Sequence, residues 1–228
     1  MRDITELTDV DDPGWPVVLE AIAEGPTSCT VLPGDPEACR AALLQLQVTA
    51  RSLLGAVVLN SGGLVLADGW LRVYGGSGGA MASLAEVNGF PAAVDPAWGT
   101  PGGLVVGHDV LGGEFVWNGM DPARFGRPGE PGQIVYFAPD ALEWETFDGG
   151  YSHWLGVMLA GGAAKFYESL FWPSWQEEVS AVGLRDGLSF FPPLWSGEGR
   201  ADLASTSRKA VPLHELVAVH QDTARQLG

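Results

Sequence analysis

Gly107-His108-Asp109-Val110-Leu111-Gly112-Gly113-Glu114-Phe115-Val116-Trp117-Asn118-Gly119, followed after a loop by Ile134-Val135-Tyr136-Phe137-Ala138-Pro139-Asp140-Ala141-Leu142-Glu143-Trp144, decides the fold class. Short β-branched and aromatic runs, parted by Gly-Gly and Pro-Asp, read as antiparallel hairpins carrying buried aromatics. The ionisable groups His108, Asp109, Asp140 and Glu143 fall at turns and strand ends, where backbone geometry and surface contacts both select them. Working outward, Leu104-Val105-Val106 pairs with Phe115-Val116-Trp117, and Ile134-Val135-Tyr136-Phe137 adds a third element. Upstream, Leu53 to Leu59 reads as a strand, Asn60-Ser61-Gly62-Gly63 as a turn, and Leu64-Val65-Leu66-Ala67 as the return strand. Asp68-Gly69 then turns into Trp70-Leu71-Arg72-Val73-Tyr74.

Helical signals flank these hairpins. Asp12-Pro13 opens a short helix through Trp15, Val18, Leu19 and Ile22, which Gly25-Pro26 stops, and Asp35-Pro36 opens another carrying Cys39, Ala42, Leu43 and Leu46 on one face. Tyr151, Trp154, Leu155, Met158 and Leu159 form a helical stripe that Gly161-Gly162 ends, and helical spacing continues from Lys165 to Trp172. Residues 188–195 are extended and aromatic, and Pro212 opens a last helix through Leu213, Leu216, Val217, His220 and Ala224. Residues 91–101, 122–131 and 197–207 are Pro- and Gly-rich surface loops. The order predicts a single α+β domain over residues 1–228, with a hairpin-rich antiparallel central sheet flanked by helices and a helical C-terminal extension at 163–228 packed on it.

The chain has 228 residues, 12 basic against 28 acidic, a net charge of −16. That balance repels nucleic acid and anionic membrane surfaces, and it steers a basic protein or peptide at low salt, although it also keeps a protein in solution. Cys29 and Cys39 are too few for a disulfide framework and lack a second pair for zinc. With no leader-like apolar run at the N-terminus and no run of spanning length, the expectation is a cytoplasmic protein.

Gly75-Gly76-Ser77-Gly78-Gly79 satisfies the Gly-x-Ser-x-Gly pattern of a hydrolase nucleophile. The hairpins around it do not supply the strand-helix alternation of that fold, so a tight glycine loop is the favoured reading. His108, His153, His214 and His220 are too scattered for a shared ion, and His108-Asp109 reads as a turn-capping aspartate beside an exposed histidine. Neither a metal nor another cofactor is expected. Glu143 and Glu145 flank Trp144 on one strand face, with Asp140 in the preceding turn. They read as a solvated face rather than paired hydrolase acids. The nine tryptophans exceed what a small core requires, which points some of them outward as recognition groups.

Several of these stretches together resemble an uncharacterised bacterial family of unknown function: Leu54 to Gly63, Gly69-Trp70-Leu71-Arg72-Val73-Tyr74-Gly75, His108 to Gly113, Tyr136-Phe137-Ala138-Pro139-Asp140, Phe166-Tyr167-Glu168, Trp172-Pro173-Ser174-Trp175 and Ser207 to Pro212. The resemblance covers most of the chain and implies no activity. Residues 35–160 are more distantly similar to the SUKH superfamily, through a helix, hairpins, a Gly-Asp turn and the closing helix at Tyr151 to Leu159. That likeness implies an α+β module that binds proteins, often as an immunity protein against bacterial toxins. Residues 163–228 depart from it, and no catalytic residues carry over.

The resulting expectation is a non-catalytic module that binds another protein or peptide, a toxin in the immunity reading. Trp70, Arg72, His108, Asp109, Asn118, Asp140 and Trp144 are its contact or turn-shaping residues. The rival is a small hydrolase using Ser77, or an acid pair including Asp140, with His108 or His153 as base. A third reading is a self-associating homodimer with exposed tryptophan at its interface.

Overall fold

The computed structural model describes residues 1–100 and 102–227, so Pro101, the last residue of one expected loop, and Gly228 lie outside the described residues. Seven strands form one antiparallel sheet in sequential order: β1 (Cys29–Leu32), β2 (Gly63–Leu66), β3 (Leu71–Tyr74), β4 (Gly103–Asp109), β5 (Glu114–Asn118), β6 (Ile134–Ala138) and β7 (Glu143–Thr146). A second, two-stranded antiparallel sheet joins β8 (Asp186–Phe191) to β9 (Ser207–Pro212). The helices are α1 (Ile4–Thr8), α2 (Trp15–Glu24), α3 (Pro36–Leu46), α4 (Leu53–Asn60), α5 (Leu84–Asn88), α6 (Tyr151–Val157), α7 (Ala163–Phe166), α8 (Trp175–Ser180), α9 (Gly197–Ala201) and α10 (Leu213–Leu227). The fold is α+β, as the hairpin pattern predicts.

The expected strand at Leu53 to Leu59 is instead helix α4. Ser52 caps it, its Oγ accepting from the Gly55 N–H at 3.0 Å. An apolar run buried on all sides has no periodicity to separate helix from strand, and Leu54, Ala56, Val57 and Val58 are all in the core. Gly55 fits this packing because a Cβ there would stand 2.1 Å from the Thr49 carbonyl oxygen. The expected helical C-terminal extension also contains a hairpin: the extended stretch from residue 188 belongs to β8, which pairs with β9, and the Leu188 N–H donates to the Val110 carbonyl at 2.7 Å.

Register assigns the two faces of the large sheet. Residues directly opposite across strands point the same way. One face carries Leu64, Val73, Phe115 and Tyr136, which meet α4, α6 and the segment after it; the Phe115 ring lies 5.0 Å from Trp154 and Tyr136 lies 5.0 Å from Phe166. The expected stripe on α6 is buried there, and Gly161 at φ 97° breaks the helical turn beyond it. The other face carries Arg72, Tyr74, His108, Glu114 and Phe137, and the C-terminal layer of β8, β9 and α10 covers part of it. Both faces of β3, β4 and β5 are therefore covered, which sets what their side chains can reach.

Candidate functional site

Trp70 is fully buried inside an aromatic box, with ring centres 4.8 Å from Phe171, 5.2 Å from Trp175, 5.4 Å from Tyr167 and 5.6 Å from Trp172. Asp109 is fully buried as well. Its Oδ1 accepts from the Leu111 and Gly113 N–H groups, both at 2.9 Å, and its Oδ2 accepts from the Tyr136 hydroxyl at 2.6 Å. It caps the turn, as expected, but away from solvent, and burial pushes its pKa up against those hydrogen bonds. Arg72 is fully buried and His108 nearly so, on the opposite sheet face. The expectation of an exposed histidine is thus corrected: the C-terminal layer covers His108. Trp70, Arg72 and Asp109 present no surface to solvent, whereas His108 borders a cavity.

Asn118, Asp140 and Trp144 lie elsewhere. Asp140 and Trp144 are half-buried at β7, where Arg127 stacks 5.0 Å above the Trp144 ring. Burial first, then the charges of Asp140 and Glu143, raise the pKa of Glu145, so these acids do gather at the edge strand. Asn118 lies in the wall of a cavity of about 1040 Å³, open to solvent and lined by Trp98, Leu104, Trp117, Met120 and Phe125 among others. Met120 is 87% exposed and Phe125 41%, so the rim offers apolar surface directly to solvent.

The groove is built by β4, β5 and the loops that leave them. Gly103, at φ 125°, packs so closely on β5 that a Cβ would lie 2.5 Å from the Trp117 carbonyl oxygen. Trp117 donates its indole N–H to the Gly132 carbonyl, which folds the loop after β5 back towards the strand. The Asn118 amide donates to the Pro128 carbonyl at 2.9 Å, and this fixes its orientation. Its Oδ1 is buried without a hydrogen-bond partner among the described residues. A buried acceptor left unpaired costs stability until a donor reaches it.

A second cavity, of about 520 Å³, opens between the other sheet face and the C-terminal layer. Tyr74 and His108 Nδ1 are 2.7 Å apart, and His108 Nε2 is 3.1 Å from Glu114 Oε2. Gln221 on α10 reaches the other Glu114 oxygen at 3.4 Å. With the Nε2 proton directed at Glu114, Nδ1 accepts from the Tyr74 hydroxyl, giving a proton path from hydroxyl to carboxylate. Tyr74 and Glu114 did not stand out in the sequence. The available signal was the tight Gly112-Gly113 hairpin, which makes His108 and Glu114 cross-strand partners.

Ser77 is 3% exposed, and its Oγ accepts from the Asp35 N–H at 2.8 Å. Packing requires glycine at the start of this loop, where a Cβ on Gly75 would stand 2.3 Å from the Ser61 carbonyl oxygen and one on Gly76 2.1 Å from that of Val58. His153 is exposed near Phe147, and no hydrogen bond joins it or His108 to Ser77. Among the described residues no group of three or more His, Cys, Asp or Glu side chains is arranged to hold a metal ion, and no helix is long and apolar enough to cross a membrane.

A family described as a protein of unknown function, DUF2625, matches residues 4–216 of the chain. The chain is similar to the putative uncharacterized protein YbfG of Escherichia coli (strain K12), at 34% identity over 218 residues, covering 95% of this chain and 94% of that protein. It is also similar to an uncharacterized protein of Haemophilus influenzae, at 30% identity over 195 residues, covering 85% and 83%. No solved structure matches the chain.

Proposed function

We propose that this chain, which belongs to the DUF2625 family, is a non-catalytic module that holds a segment of another protein in the groove lined by Trp98, Trp117, Asn118 and Phe125. The observation that carries this reading is the open, apolar groove itself, with Met120 and Phe125 exposed at its rim. An extended segment fits such a groove by laying its apolar side chains against the aromatic walls. The net charge of −16 favours a segment flanked by basic residues. A bacterial toxin is the form of partner that the SUKH likeness implies.

The test places a photo-crosslinking p-benzoylphenylalanine at Met120 on the groove rim and, separately, at Val219, which is 53% exposed on α10. Crosslinks to a basic segment of another protein from position 120 but not from 219 are expected. Equal crosslinking from both positions contradicts the proposal. Crosslinks only between copies of this chain would move the reading to a homodimer.

A further inference from the structure

Arg72 stands across from His108 in the register of β3 and β4, and His108 across from Glu114 in that of β4 and β5. Tyr74, two residues beyond Arg72, shares their face. The C-terminal layer leaves the cavity of about 520 Å³ here, with Val87, Leu184, Leu213 and Val217 among its apolar walls. Arg185 and His214, both exposed, lie at its border.

Apolar packing alone does not call for the groups found at this place. The Tyr74, His108 and Glu114 side chains form a buried chain of polar groups, which an apolar trio of similar volume would replace at lower desolvation cost. Arg72 is fully buried and has no carboxylate partner among the described residues. One of its terminal nitrogens donates to the Asp186 and Leu184 carbonyls, but Nε and the other terminal nitrogen have no partner. A buried guanidinium in that state favours a neighbouring anion. Arg185 holds Glu86 at 3.1 Å, in a half-exposed pair weak enough for another carboxylate to take its place.

We propose that this cavity binds a small hydroxy acid, with the ligand's carboxylate on Arg185 and its hydroxyl on Tyr74. With the His108 proton on Nε2, the Tyr74 hydroxyl donates its hydrogen bond to Nδ1, so its oxygen is free to accept the ligand's O–H. Burial holds the Tyr74 hydroxyl protonated, while the charges of Arg72 and Arg185 act in the opposite direction. Arg72 adds positive potential beneath the site. The cavity wall also carries Glu86, Glu114 and Asp186, but Glu86 is held by Arg185 and Glu114 by His108 and Gln221, so two of the three carboxylates are already partnered. The apolar walls favour a ring or branched body over a short straight acid.

The test is a ligand-detected NMR titration of the full chain with 4-hydroxybenzoate, using benzoate and phenol as comparators that each lack one group. 4-Hydroxybenzoate is expected to bind about tenfold tighter than either comparator, the worth of one well-made buried polar contact. Tyr74→Phe should abolish its advantage over benzoate, and Arg185→Gln its advantage over phenol. Because each comparison is made within one variant, a general loss of folded protein cancels from the ratio. Phe125→Glu, at the groove, should leave all three affinities unchanged. Advantages that survive both cavity variants overturn the proposal. So does an absence of binding by 4-hydroxybenzoate, salicylate and 3-hydroxybutyrate up to about 10 mM, a range that detects even millimolar affinity.

Discussion

Replacing Trp70 with alanine separates a core role from a contact role. Its side chain is fully buried and meets Tyr167, Phe171, Trp172 and Trp175 at ring distances of 4.8–5.6 Å. Truncating a buried tryptophan to alanine costs about 3–5 kcal/mol through lost transfer energy and the cavity left behind. A domain of this kind has about 5–15 kcal/mol of stability in total, so the variant should lose about a fifth of it or more. Trp70→Phe should cost much less, because the ring remains and the indole N–H has no partner to lose. Urea unfolding followed by circular dichroism measures both, with the midpoint falling and the slope unchanged. A Trp70→Ala variant within about 1 kcal/mol of the parent would refute the core assignment. So would full stability combined with lost crosslinking at position 120, which would return Trp70 to the contact surface.

Other outcomes follow from the same packing. Burial, with the Trp195 ring 5.2 Å away, depresses the pKa of His220 to about 4 against the opposing effect of the Gly112 backbone, so the fold holds it neutral where the unfolded chain would protonate it. Its stabilising share is present above the unfolded value near 6.5 and is lost as pH falls towards 4, about 3 kcal/mol in all; His220→Phe should flatten the stability profile in that window. Asp109 has the opposite sign, since its raised pKa makes its contribution greatest at low pH and lost as pH rises through the folded value. Asp109→Ala should cost about 3 kcal/mol or more in urea unfolding, by stripping an acceptor from two buried N–H groups and a hydroxyl, whereas Asp109→Asn should be far milder. Gly76→Ala should destabilise more than Ser77→Ala, the reverse of what a catalytic serine would give in an activity assay, because Val58 and Cys39 leave no room for a Cβ while Ser77 supplies a single hydrogen bond of about 1 kcal/mol.

The hairpins were legible because their turns and their alternation agree. Gly112-Gly113 fixes the β4–β5 hairpin, and Asp35-Pro36 fixes the start of α3, where Asp35 accepts from the Ala38 N–H at 2.8 Å. Leu53 to Leu59 was misread because all its sides are apolar, and the decisive signal was a single capping residue, Ser52. β9 was missed because Ser207 reads as the end of a loop and the polar Arg208 and Lys209 give no apolar alternation, although Arg208 pairs with Glu178 at 2.7 Å and lies over Trp172. Residue type alone does not show which sheet face meets solvent. Trp70 and Arg72, chosen as contacts, are therefore buried, whereas Met120 and Phe125 stand at the groove. The second cavity depends on register across three strands and on Arg185, far away in sequence, neither of which local spacing encodes.

The central claim is recognition of a protein segment at the groove, and its direct measurement is calorimetric titration of the crosslinked segment, made as a synthetic peptide, into the parent chain and three variants. The account predicts that Asn118→Ala and Phe125→Glu each weaken binding at least about tenfold, while Tyr74→Phe, at the separate cavity, leaves it unchanged. Equal affinity across the parent and both groove variants would contradict it.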